Sequence, residues 1–83
     1  MDQVEMAVRE VLGNRAKLSA AAASLAPEED LFDRGLTSLM TVDVMLALEE
    51  RFDVEFPDAA LNRATFRSVA SLRDLLLSLG AAA

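Results

Sequence analysis

The sequence predicts an all-α domain of three main helices and one short helix around a single aliphatic core. Three observations carry that expectation. Apolar residues recur at helical spacing in three separate segments. Only two Pro and three Gly interrupt 83 residues, which leaves room for long helices. The one alternating run, Asp53-Val54-Glu55-Phe56, cannot form a sheet alone. Apolar residues make up 53% of the chain and aromatics only 5%, with no Tyr or Trp, so the core must be built from Leu, Val, Met and Ala. At this length the chain reads as one domain, residues 1–83.

The first helix is expected from Asp2 to Asn14. Val4, Ala7, Val8, Val11 and Leu12 form its stripe, Glu5, Arg9 and Glu10 fall off it, and Gly13-Asn14 reads as the stop. Residues 15–37 read as a long connection. Ala20 to Ala23 could extend a helical turn, Pro27 interrupts any continuation, and Leu25, Leu31 and Phe32 are spaced to pin the segment to the core. Loops longer than about 15 residues are often functional. Gly35-Leu36-Thr37-Ser38 opens the second helix, with Gly35 for a tight turn and Thr37 or Ser38 as the cap. Leu39, Val42, Met45, Leu46 and Phe52 recur at helical spacing, and Leu39, Val42 and Met45 are assigned mainly to the core, with Met40 partly exposed. Asp43, Glu49 and Glu50 lie on other faces, and Phe56-Pro57 ends the pattern. Ala59 to Arg63 has the length of one short helical turn. Ser68 caps a last helix with the stripe Val69, Leu72, Leu75, Leu76 and Leu79; Gly80 ends it, and Ala81-Ala82-Ala83 reads as a frayed tail.

Fourteen acidic and eight basic residues give a net charge of −6. That disfavours nucleic acid and anionic membrane surfaces and favours a partner with a basic face. No apolar run approaches the roughly 20 residues of a membrane span, and the start lacks the basic region of a signal peptide. The absence of Cys removes any disulfide framework and fits the cytoplasm. With no His either, the usual zinc sites and nucleophile–base pairs cannot be built. A hydrolase built on Ser38 fails for the same reason, and Gly35-Leu36-Thr37-Ser38-Leu39 is not a Gly-x-Ser-x-Gly elbow. Reactive groups beyond hydroxyls and carboxylates would have to be brought in covalently.

The segment Asp33-Arg34-Gly35-Leu36-Thr37-Ser38-Leu39 resembles the acyl and peptidyl carrier family, whose pattern is close to Asp-x-Gly-x-x-Ser-Leu at the start of its second helix. Met45 to Asp58 also looks like the family's second helix and following loop, and the resemblance runs from Leu31 to Leu79 in order. It implies a four-helix acyl-carrier-like bundle. It also implies that Ser38 Oγ is the attachment point for 4′-phosphopantetheine, delivered from coenzyme A by a separate phosphopantetheinyl transferase, with Asp33, Gly35, Thr37 and Leu39 around the attachment site. Such a chain is a carrier and not an enzyme: its cargo would travel as a thioester on the arm. A Ser at a helix N-terminus suits this role, because free amides and the helix dipole favour a phosphate there.

Within that family the chain departs from fatty-acid carriers: Thr37, Met40, Ala59 and Ala60 stand where acidic residues are usual. Glu55 to Ser68, with Phe56-Pro57-Asp58, Leu61-Asn62-Arg63 and Phe66, is similar to the stand-alone aminoacyl carrier proteins. That likeness implies an amino acid cargo loaded by a free-standing ligase resembling a class II aminoacyl-tRNA synthetase. It also implies a ligase-facing surface at Met40, Asp43, Leu61, Asn62 and Arg63, a downstream acceptor enzyme, and a monomeric carrier. Two other readings stay open: a carrier for fatty acid or polyketide-type synthesis, and a cofactor-free helical interaction domain in which Ser38 is an ordinary helix cap.

Overall fold

The computed structural model describes residues 3–81, with three α-helices, three 3-10 turns and no strand among them. Val4, Ala7, Val8, Val11 and Leu12 bury one side of α1 (Gln3–Arg15), as their spacing dictates. The predicted start at Asp2 lies outside the described residues. The stop at Gly13-Asn14 is corrected: neither residue has positive φ, the helix runs on to Arg15, and Ala16 N–H donates to Leu12 O at 3.0 Å. α1 packs against both α2 (Ser38–Phe52) and α3 (Val69–Ser78).

α2 presents a different face to the core from the one its sequence suggested. Val44 and Leu48 are fully buried, with Met40, Met45, Ala47 and Phe52 partly buried beside them. Leu39 is 83% exposed, Val42 51% and Leu46 54%, so the assignment of Leu39 and Val42 to the core is corrected. The helix carries apolar residues on two faces, and periodicity alone does not say which one turns inward. Its C-terminus is closed by Asp53 in the left-handed region, φ 54°. There the Glu49 carboxylate accepts Phe56 N–H at 2.8 Å, so it acts as a structural cap.

α3 is bounded as expected at both ends. Ser68 Oγ accepts Ser71 N–H and Ser71 Oγ accepts Ser68 N–H, both at 3.0 Å, a reciprocal capping box. At the other end Gly80, φ 88°, donates to Leu77 O at 3.1 Å and Ala81 N–H to Leu76 O at 3.0 Å, which is a Schellman motif. That motif folds Ala81 back into the core, so it is not frayed; Ala82 and Ala83 lie outside the described residues. The short helix expected over Ala59–Arg63 is a single 3-10 turn, Asp58–Ala60, one residue earlier. Pro57 stands at its N-cap, and the Asn62 side chain takes over the next turn, donating to Ala59 O at 2.9 Å and accepting Thr65 N–H at 3.0 Å.

The connection from α1 to α2 is tied down along its length. It contains 3-10 turns at Ala22–Ser24 and Leu31–Arg34, and Leu25 and Leu31 are buried. Pro27 O accepts Ala70 N–H at 2.9 Å, and Leu31 N–H donates to Arg67 O at 2.7 Å, which joins the loop to the start of α3. A second tie was not legible as such. Glu5 and Arg9, which fall off the apolar stripe, are buried together on α1. Arg9 also donates to Ala22 O at 2.9 Å and Leu25 O at 2.6 Å, and Arg73 of α3 reaches Glu5 at 2.8 Å. The Asp74 carboxylate, and after it Glu5, hold the Arg73 guanidinium above its ordinary pKa. No helix of the described residues is long and apolar enough to cross a membrane.

Candidate functional site

The approach to Ser38 is set by four residues with separate tasks. Asp30 caps the Leu31–Arg34 turn, its side chain accepting Phe32 N–H at 2.9 Å. Gly35 ends that turn with φ 104°, a conformation L side chains rarely adopt, and a Cβ there would sit 3.2 Å from Lys17 O. So Gly35 is required by the backbone, beyond keeping the surface open. Leu36 is buried and anchors the chain, its N–H donating to Leu31 O at 3.1 Å. Thr37 is the N-cap of α2: its Oγ1 accepts Met40 N–H at 3.2 Å.

Ser38 therefore sits one residue inside the helix, at its first helical position, and the ambiguity between Thr37 and Ser38 as cap is resolved in favour of Thr37. Ser38 is exposed and its Oγ has no hydrogen-bond partner among the described residues, while its carbonyl accepts Thr41 Oγ1 at 2.6 Å. Beyond the Met40 amide, the first-turn N–H groups have no helical acceptor. The N-terminal end of a 15-residue helix thus presents a free hydroxyl beside free amides, with the dipole favouring negative charge there.

A cleft of about 390 Å3 opens beside Ser38. Phe32, Thr41, Val42 and Met45 line it from the loop and α2, and Leu61, Asn62, Arg63 and Phe66 from the segment before α3. Phe66 is stacked on Phe56, ring centroids 6.0 Å apart, and the Arg63 guanidinium lies 3.9 Å from the centre of the Phe32 ring. A wider open hollow of about 990 Å3 lies between α1 and the stretch from Ala16 to Ala23, but neither Ser38 nor any residue of α2 lines it. The smaller cleft is the one joined to the hydroxyl.

The structure brings some of the sequence candidates together and separates others. Ser38, Leu61, Asn62 and Arg63 share the cleft. Leu39 follows Ser38 on the outer surface. Asp33 is exposed on its turn and does not line the cleft, Met40 is half-buried against the core, and Asp43 pairs with Arg15 at 3.5 Å on the surface. Phe32, Thr41, Met45 and Phe66 were not read from the sequence as cleft residues, and Val42 was read as core with one side toward the arm. The apolar character of Phe32, Val42, Met45 and Phe66 pointed to core, and only the fold shows that they meet across an opening.

A family model described as "Phosphopantetheine attachment site" matches residues 2–76. The chain belongs to the phosphopantetheine-binding carrier proteins. The carrier is 42% identical over 67 residues to an aminoacyl carrier protein of Agrobacterium fabrum, covering 81% of each chain. Its fold matches a carrier protein from Agrobacterium tumefaciens crystallised with an engineered Bradyrhizobium japonicum glycine:[carrier protein] ligase and ATP. That match has TM-score 0.87 and 37% identity, covering 92% of the carrier and 99% of the other chain. It also matches the structure of the Bradyrhizobium japonicum ligase complexed with glycylated carrier protein, with TM-score 0.75 and 32% identity over 89% of the carrier and 99% of that chain. The family's prosthetic group is a covalently attached 4′-phosphopantetheine. The carrier's residues fit such a group, since an unpartnered hydroxyl, free helix-end amides and an adjoining cleft stand at one place.

Proposed function

We propose that this single-domain, monomeric protein carries an amino acid as a thioester on a 4′-phosphopantetheine arm attached to Ser38 Oγ, and that a free-standing aminoacyl-tRNA-synthetase-like ligase loads it in the cytoplasm. The observation that supports Ser38 most directly is the separation of duties at the start of α2. Thr37 caps the helix, which leaves the Ser38 hydroxyl exposed and unbonded for a transferase. When bound, the arm supplies the thiol that a chain without Cys lacks. The protein's own part is placement, and it contributes no catalytic group.

The amino acid reading rests on the aminoacyl carrier relative and on the neighbouring complexes with glycine:[carrier protein] ligase. Leu39, Val42 and Leu46 on the outer face of α2, with Leu61 across the cleft mouth, leave large apolar side chains uncovered around Ser38. A ligase that must reach the arm meets these residues first, and an acceptor enzyme downstream would meet the same face.

Intact mass after incubation with coenzyme A and a broad-specificity phosphopantetheinyl transferase tests the proposal. The parent should gain one phosphopantetheine and Ser38→Ala none, with equal helicity in both. Loading of the holo-protein by the ligase with glycine, alanine or a fatty acyl group then separates the amino acid cargo from the acyl one. No gain by the parent with several transferases would overturn Ser38 as the attachment point.

A further inference from the structure

Arg63 is the one arginine of the chain without a carboxylate partner among the described residues. Arg9, Arg15, Arg34, Arg51, Arg67 and Arg73 are each paired with an Asp or Glu. In a chain of net charge −6, acidic partners are abundant, so an unpaired guanidinium stands out. This one is also held in place: it lies 3.9 Å from the centre of the Phe32 ring, an arrangement that orients the cation without neutralising it. It lines the same cleft as Ser38.

We infer that Arg63 is a positioning residue for the arm, its guanidinium pairing with the phosphodiester that links Ser38 Oγ to the pantetheine. This rests on Ser38 being the attachment point. The phosphodiester is the one anion that this attachment fixes beside the cleft, whatever the cargo, because it begins at Oγ itself. An amino acid held as a thioester has used its α-carboxylate and offers no anion there. A planar guanidinium can donate two parallel hydrogen bonds to phosphate oxygens, whereas an ammonium meets them as a point charge. Tethering makes the encounter intramolecular, so even a weak pair is well populated. Arg63 thus supplies positive charge from the segment before α3, opposite the amide groups that α2 supplies at Ser38. Together they fix where the arm leaves the surface. Asn62 beside it is engaged in closing its own turn through Ala59 O and Thr65 N–H. Lys17, the other cation without a carboxylate partner among the described residues, borders the wider hollow beside α1 instead.

The test compares apo- and holo-protein by NMR, reading the side-chain Nε–H resonance of Arg63 and the phosphorus resonance of the arm. Converting apo to holo should shift Arg63 Nε–H and slow its exchange with water, and leave Arg67 Nε–H, as a control, unmoved. In holo Arg63→Gln the phosphorus line should shift and narrow as the phosphodiester moves more freely; holo Arg63→Lys should recover only part of the parent line shape. Both variants remove an exposed side chain and should keep the parent melting temperature within a few degrees, so a changed phosphorus line reports lost contact and not lost fold. A mass gain at Ser38 with Arg63 Nε–H unmoved overturns the assignment of Arg63 alone. A transferase product modified elsewhere, or no product, overturns the Ser38 attachment and this inference with it.

Discussion

At Thr37 and Ser38 two adjacent hydroxyls differ in what each is bonded to. Thr37 Oγ1 holds the Met40 amide and Ser38 Oγ holds nothing among the described residues. Removing a cap costs about 1 kcal/mol, whereas an exposed side chain with no contact to lose changes stability within about 0.5 kcal/mol. Thr37→Ala should therefore lower the urea midpoint measurably while still accepting the arm. Ser38→Ala should leave the midpoint in place while losing all modification. The reverse pattern would mean that Ser38 is the cap, as the sequence alone allowed. That ambiguity had a physical cause: both residues have a hydroxyl at capping reach, and only the backbone angles of Thr37, φ −111° and ψ 162°, place it outside the helix.

α2 is an element with two apolar faces, and its mutations should sort by face. Leu48 is fully buried, and Leu48→Ala should destabilise by about 2–5 kcal/mol, a large share of the roughly 5–15 kcal/mol that holds a domain together. Leu39 is 83% exposed and its removal should barely alter thermal unfolding. Leu39→Asp, placed beside Ser38 on the face proposed to meet the ligase, should slow amino acid loading at unchanged melting temperature. An unaltered loading rate would remove Leu39 from the docking face. The existence of this helix was legible from its spacing and its N-terminal hydroxyls, but it stops at Phe52, closed by Asp53, ahead of the Phe56-Pro57 break. Its orientation was not legible, since Leu39, Val42 and Leu46 satisfy the same period as Met40, Val44 and Leu48.

Across the whole molecule, the order of the elements and most of the core followed from sequence: the α1 and α3 stripes, the Ser68 cap, the Gly80 stop and the anchoring of Leu25 and Leu31 all stand where their residue types place them. What escaped was the polar interior. Glu5 and Arg9 lie off the stripe, yet both are buried, because Arg73 from α3 and the carbonyls of Ala22 and Leu25 meet them there. Such a site depends on three distant segments converging, which no local pattern announces. Removing one member of a buried pair typically costs about 3–5 kcal/mol, since the remaining charge stays desolvated. Glu5→Gln should thus lower the melting temperature by more than about 10 °C in a domain of this size. Followed by calorimetry, a shift of only a degree or two would show that the Ala22 and Leu25 carbonyls and Asp74 suffice for the two arginines. The Arg73 contribution has a simple pH dependence. Its folded-state affinity for the proton is raised, so the stabilisation is complete below the ordinary arginine range and fades only in strong alkali.

The unbonded Ser38 hydroxyl also decides what the folded chain can communicate. Esterifying an oxygen that supports no native contact withdraws nothing from the folded state, so empty and modified chains should share one backbone conformation, with Arg63 the side chain that responds. The backbone then holds no message about whether an arm or a cargo is present. Any enzyme that must tell a charged carrier from a bare one has to touch the arm, its tip or the Arg63 side chain beside it, because the backbone presents the same surface to each.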